Sequence, residues 1–368
     1  MKVRRVEAVF ELLRIAAAFL IAYGLTLLVL VLISGDPAKA IYSFTAGPFT
    51  TARRFGNIIQ KMVPLVFTGL GMCFMYSVNR FNVSGEGIFI TSACITTFFA
   101  LLIEGLGMPG WLKMAVLLAV GGVIGAIAAS IPAVINAKLG ANIIVLSIML
   151  NYILLYFTQF ILTRVVRDVN VSYTASYEIP ADVRFDEWIP RTGIHTGIFA
   201  AIFFVIVVVI LFHKTSLGFE MRTVGSNPEF AVQIGMNTAA AIIIAQMLGG
   251  ALAGVGGSLE QLAMNSRFQW TALTNHGMNG VIVAVLAKKK PQYIPLTAFL
   301  MAYIQQGAQI VNSSTDVPAE FVVVVQGVVV LMIAAEMFLS KTRNKIIYSM
   351  ALQESRNREN KREESGSR

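Results

Sequence analysis

The chain has 368 residues, 56% of them apolar and 13% charged, with a mean hydropathy of +0.70; soluble domains carry about 25% charged residues, so a water-soluble core is excluded. The net charge of +9 does not point to nucleic acid, because the basic residues sit at the chain ends and in short loops between apolar runs, with no basic and aromatic face. Cys73 and Cys94 fall in apolar runs, and His195, His213 and His276 are scattered, which leaves neither a disulfide framework nor metal-ligand spacing.

Residues 15–33 form a continuous apolar run, long enough to cross a hydrocarbon core of about 30 Å. Its length exceeds the roughly 7–15 residues of a signal-peptide core, so it is read as a retained membrane helix although Ala38-Lys39-Ala40 mimics a cleavage site. Residues 1–56 therefore make an N-terminal helix and a polar connector. Further spans follow at 58–76, 88–103, 111–131, 143–162 and 194–212, then at 238–259, 277–287, 293–311 and 321–339. Ten spans result. The eighth, 277–287, is too short to cross unaided and is expected to draw on residues 273–276 or to pack as a broken helix.

Two polar segments interrupt this pattern. Residues 164–193 carry Asp168, Glu178, Asp182, Arg184, Asp186, Glu187 and Trp188 and must lie outside the bilayer. Residues 213–237 carry Glu220, Arg222, Glu229 and an Asn227-Pro228 turn signal, which predicts short helix, turn and short helix. An even number of spans puts both termini on one side, and the basic ends assign that side to the cytoplasm together with residues 213–237 and Lys288-Lys289-Lys290. Residues 341–368 complete a charged tail that is low in apolar residues after Tyr348 and is expected to be disordered.

Within the spans, Gly121 and Gly125 stand at the spacing that lets helices approach closely, as do Gly250 and Gly254. Asn82 and Glu86, in FNVSGEG, and Asn279, in GMNG, place polar groups among glycines beside apolar runs, a composition that allows backbone to unwind near the bilayer. A carboxylate near the bilayer centre costs about 2.5–3.5 kcal/mol on insertion scales, so Glu86 must face a partner or water. It either satisfies free N–H groups at a helix start or touches a solute. Asn151, Gln246, Gln305, Gln306 and Gln309 are further polar groups in the spans, the glutamines being read as interhelical hydrogen-bonding groups.

The stretch LGFEMRTVGSNPEFAVQIGMN, residues 217–237, resembles the cytoplasmic coupling segment in permease subunits of ATP-binding cassette importers, in the branch that carries simple sugars, nucleosides and branched-chain amino acids. Gly218, Arg222, Val224, Gly225, Asn227, Pro228, Ala231 and Gly235 match, and Thr223, Val232 and Met236 depart. FNVSGEG, GMNG and the glycine-rich residues 247–262 are similar to further motifs of that branch, with Ser84, Ile88, Met278 and Ala287 departing. SIMLN, ending at Asn151, is similar to the longer permease of nucleoside importers.

The resemblance implies an all-α polytopic protein of about ten transmembrane helices in two related halves, a type II importer-like permease fold with its core at residues 57–340. It implies a solute path near Asn82, Glu86, Asn151 and Asn279, and ATPase coupling through Gly218, Arg222, Gly225, Asn227 and Pro228. Nucleosides are the expected cargo, simple sugars the next. The implied partners are an ATPase subunit that binds ATP and Mg, a second permease subunit, an extracytoplasmic binding protein or lipoprotein, and the lipid bilayer of the cell membrane. No phosphate-binding GxxxxGK[ST] loop occurs in the chain, so ATP hydrolysis falls to a separate subunit. An ion-coupled secondary transporter is the alternative, because broken helices and an intramembrane Glu86 suit one too. An intramembrane hydrolase ranks last, since neither an HExxH motif nor a nucleophile and base pair is visible.

Overall fold

The computed structural model describes residues 20–318, except residue 22, together with residues 320, 321, 323, 324, 327 and 328. The start of the first expected span, most of the tenth and the tail at 341–368 lie outside the described residues. The helices are α1 (Tyr23–Ile33), α2 (Pro37–Thr45), α3 (Ala52–Ser77), α4 (Gly85–Leu102), α5 (Gly110–Leu139) and α6 (Ile143–Arg164). They continue with α7 (Gly197–Lys214), α8 (Ser216–Ser226), α9 (Pro228–Gln233), α10 (Thr238–Met264), α11 (His276–Leu286) and α12 (Ile294–Ser314).

Six of these, α3 to α7 and α10, are long and apolar enough to cross a membrane among the described residues. That makes a polytopic helical membrane protein. The expected ten spans are not reached within this part of the chain: α1 and α11 are shorter apolar helices, and α12 carries Gln305, Gln306 and Gln309 along its length. The eighth run packs as the broken helix, because Asn275 turns into the left-handed region at φ 64° just before α11 begins. The sixth run begins later than its apolar sequence suggests. Ile194 and His195 form strand β2, which pairs antiparallel with β1 (Glu187–Ile189).

The centre of the fold is α10, which packs between α3, α4 and α5. Its contact with α5 is backbone on backbone: a Cβ on Gly125 would lie 2.1 Å from the Gly250 carbonyl oxygen, and one on Gly254 would lie 2.1 Å from that of Gly121. The two small-residue motifs are therefore partners, and the absence of side chains at these positions is what lets the axes approach.

The long polar segment after α6 is laid over the ends of α5 and α10. Ser176, Ile179 and Phe185 donate backbone N–H groups to the carbonyls of Phe268, Ser266 and Leu262. Lys113, buried at the start of α5, holds Asp182 at 2.7 Å, and Arg267 holds Asp168 at 2.6 Å. At 1.5 Å per residue, the 27 residues of α10 span about 40 Å from this face to the face that carries α8 and α9.

Candidate functional site at the α4–α11 junction and the α8–α9 segment

After α3 ends, residues 78–84 run without regular structure and deliver α4 into the protein. Asn82, fully buried, organises that turn. Its Oδ1 accepts the Ser84 backbone N–H at 2.8 Å and the Ser84 hydroxyl at 2.6 Å, and its Nδ2 donates to Gln246 on α10 at 2.9 Å. From α6, Asn151 clamps the same turn: Nδ2 donates to the Val83 carbonyl and Oδ1 accepts the Gly87 N–H, each at 2.8 Å. Ser147, one turn earlier, accepts the Val83 N–H at 3.1 Å. Both asparagines thus replace backbone partners that a continuous helix would have supplied.

Glu86 sits in the first turn of α4 and is 5% exposed. Its carboxylate accepts the backbone N–H of Gly277 at 2.7 Å and of Met278 at 3.2 Å, and the Thr274 hydroxyl at 3.2 Å. These are orphan donors at the start of α11, whose own cap residue Asn275 makes no side-chain cap bond. A carboxylate at a helix N-terminus meets both unpaired N–H groups and the positive end of the helix dipole, which offsets its burial. The helix-start reading of Glu86 is the one the geometry realises, across two helices instead of within one.

Gly277 makes this approach possible, since a Cβ there would lie 2.4 Å from the Glu86 backbone nitrogen. Asn279 follows in the first turn of α11, 6% exposed, its backbone N–H bonded to the Asn275 carbonyl at 2.9 Å. Of the four residues expected on a solute path, Asn82, Glu86 and Asn151 hydrogen-bond within or around the α4 turn, with Glu86 bridging it to the start of α11. Asn279 belongs to the same junction.

Around it stand Lys61, which sequence reasoning passed over, and His276, which it read only as one of three scattered histidines. Lys61 on α3 donates to Gln309 on α12, and His276 packs its ring 4.8 Å from that of Phe89. A lysine inside an apolar run is the signal that singles out the first; His276 offers none beyond its place at the start of a short helix.

At the end of α3 from which the turn into α4 departs, Asn227 joins α8 to α9. Its Oδ1 accepts the Phe230 N–H at 3.0 Å, and Pro228 takes the first helical position, where no amide hydrogen is needed. Thr215 caps α8 by accepting the Gly218 N–H at 3.2 Å. A Cβ on Gly218 would lie 2.4 Å from the Phe212 carbonyl oxygen, and one on Gly225 would lie 1.8 Å from the Ser77 carbonyl oxygen. Gly218 and Gly225 therefore seat α8 on the ends of α7 and α3. Arg222 lies over the Phe212 ring, 5.3 Å from its centroid. Met221, Val224 and Ala231 are buried, whereas Leu217, Phe219, Phe230, Val232 and Ile234 are exposed.

Residues 54–334 match the family described as branched-chain amino acid transport system, permease component. Among characterised proteins, the chain is 31% identical over 134 residues to a glucose ABC transporter permease protein, TsgB13, of Haloferax volcanii, which is 36% of this chain and 35% of that protein. It is likewise 31% identical over 134 residues to a nucleoside ABC transporter permease protein, NupB, of Lactococcus lactis, covering 36% of each. With a guanosine ABC transporter permease protein, NupP, of Bacillus subtilis, it shares 29% identity over 133 residues, 35% of this chain and 37% of that one. The matched stretch thus spans little more than a third of the length of each relative. No solved structure matches the chain.

Proposed function

We propose that this chain, which belongs to the family of branched-chain amino acid transport system permease components, is the membrane subunit of an ATP-binding cassette importer that carries nucleosides or a related simple sugar inward. The α8–α9 segment is the observation that carries this reading. It is fixed to the bundle through Gly218 and Gly225 and presents five exposed apolar side chains beyond the membrane-crossing helices. A short, rigidly mounted helix pair with an apolar face suits a docked partner that moves as it hydrolyses ATP. An ion-driven carrier has no use for such a mount.

The cargo reading rests on relatives named for nucleosides, guanosine and glucose. The α4–α11 junction suits neutral, hydroxyl-rich solutes. Asn82, Asn151 and Glu86 hold two broken ends in place while Asn279 lies beside them, so the junction is built from hydrogen-bonding groups, with the Lys61 amine nearby donating to Gln309. A separate subunit supplies ATP hydrolysis with Mg. A second permease subunit completes the passage. Residues 164–193 face the extracytoplasmic side and receive a binding protein or lipoprotein, and both termini are cytoplasmic.

The test is to purify the chain with its co-purifying subunits, reconstitute them in vesicles, and follow labelled adenosine and glucose together with ATP hydrolysis. Uptake that needs ATP inside the compartment where α8–α9 is exposed is expected. Uptake that follows an imposed proton or sodium gradient without ATP overturns the proposal.

A further inference from the structure

On the face opposite α8–α9, the β1–β2 hairpin, the start of α3 and the end of α10 line a half-open cavity of about 380 Å³. That volume lies within the range of sites for small organic ligands. One wall is His195, which is 3% exposed and has no hydrogen-bond partner at either ring nitrogen. A buried imidazole without partners is costly, and buried polar groups are otherwise bonded in nearly every case. Burial holds its pKa down to about 4, so the ring is neutral, and with both nitrogens shielded from solvent its donor and acceptor reach a ligand only when the ring turns toward the cavity.

Facing the same space, Gln60 on α3 places its Nε2 against the Met264 sulfur. The rim supplies Arg184, Asp186 and Glu187 from the hairpin strand and its lead-in, and the Phe185 ring, 6.4 Å from His195. Arg184 and Glu187 are already engaged in part: Arg184 stands 3.8 Å from Glu178, and one Glu187 oxygen accepts the Arg191 N–H at 2.8 Å. The lining is therefore mixed in sign, with a neutral ring, a neutral amide and an aromatic face. Phosphate is disfavoured by the two carboxylates, and among the described residues no group of three His, Cys, Asp or Glu could hold a metal.

Vicinal hydroxyls fit this set best. Each pair can donate to a carboxylate and accept from a guanidinium or an imidazole N–H, while the apolar face of a sugar ring lies on an aromatic side chain. We infer that this cavity is a binding site for a sugar ring, free or as the ribose of a nucleoside, in which Gln60 and the Asp186–Glu187 rim contact its hydroxyls and His195 joins them by turning its ring out of its buried position. The inference rests on the transport reading above for its choice of solute, and it adds a site about the length of α10 away from the coupling segment. A solute held there waits above the helices on the face where α4 and α10 end.

The test uses the full chain with its co-purifying subunits in lipid nanodiscs, carrying Ala181→Cys as a reporter at the cavity wall. The native Cys73 and Cys94 are fully buried, so a methanethiosulfonate reagent reads the new thiol. Adenosine and D-glucose are tried separately, and the protecting one identifies the source of the sugar ring. The modification rate should fall about tenfold at ten times the half-protecting concentration. His195→Ala should raise that concentration about tenfold, and His195→Gln, which keeps a donor and an acceptor, should raise it less. Asp186→Asn, at an exposed position that does not threaten folding, should also raise it. Protection by neither solute in complexes that still take up one of them overturns the site and leaves the transport reading standing. Protection without any ATP-driven uptake keeps the site and overturns the transport reading. Protection that neither His195→Ala nor Asp186→Asn alters overturns the assigned contacts.

Discussion

The Glu86 carboxylate accepts the backbone N–H of Gly277 at 2.7 Å, across 191 residues of sequence. It is the side chain through which the start of α4 caps the start of α11. Removing it leaves the Gly277 and Met278 amides without an acceptor in a buried place, at roughly 1–3 kcal/mol for each unsatisfied group. Glutamine keeps an acceptor oxygen for those amides and turns an NH2 toward the Thr274 hydroxyl, which can accept. Glu86→Ala should therefore lower the thermal midpoint of the purified chain by several degrees and suppress uptake, with Glu86→Gln between it and the native protein. Equal loss of uptake in both variants, with assembly intact, would show that the charge itself is required.

The seat of α8 gives the second prediction. A side chain at Gly225 has nowhere to go, because its Cβ would meet the Ser77 carbonyl at 1.8 Å and backbone cannot yield as a flexible side chain can. Gly225→Leu should displace α8 from the end of α3, lowering uptake at least about tenfold while ATP hydrolysis persists, since a shift of even 1 Å in a transmitting element is functionally large. Hydrolysis and uptake measured in the same vesicles decide it. Normal uptake in this variant removes α8 from the coupling path.

Both features show where sequence stops being informative. The apolar runs of α3 to α7 and α10 were legible because a bilayer demands long continuous stretches, and Asn227-Pro228 marked the α8–α9 turn through local backbone chemistry. The partner of Glu86 was not legible, since a cap supplied by another helix leaves no trace in the spacing around either one. The hairpin at 187–195 was hidden for a different reason. Ile194 adjoins an apolar helix, and apolar character alone does not tell the last strand residue from the first helical one. At α12 the expected run at 293–311 did become a helix, Ile294–Ser314, packed on α3 in spite of its glutamines.

The α5–α10 contact should be intolerant of added volume. Gly125→Leu would place its Cβ 2.1 Å from the Gly250 carbonyl, and Gly250→Leu would meet Ala129 Cβ at 2.3 Å. Overpacking a close contact typically costs about 1–3 kcal/mol, and more where backbone must move. Both variants should unfold at lower temperature in detergent. Gly105→Ala is the matched control, because nothing lies within 4 Å of that position. If Gly125→Leu and Gly105→Ala unfold together, the close approach of these helices is wrong.

The ion pair between Asp168 and Arg267 ties the segment after α6 to the end of α10, at 2.6 Å. Arg267 beside it, followed by the Asn170 N–H, holds the Asp168 carboxyl below the usual carboxylate range. A group whose pKa is lower folded than unfolded binds its proton more tightly in the unfolded chain, so its contribution is present in full above about pH 4, the unfolded value, and is lost as pH falls through the folded one. Asp168→Asn removes that contribution while keeping size and one acceptor. The variant should therefore be less stable than the native chain at pH 7, and the gap should narrow below about pH 4 and close once the native carboxyl is protonated. Thermal midpoints of the two proteins, followed from pH 7 to pH 3 in one detergent, give the comparison. A gap that stays constant across that range would mean the carboxylate contributes nothing through its charge, and the loop would then be held by its other ties, the backbone bonds to Ser266, Phe268 and Leu262 and the Lys113–Asp182 ion pair.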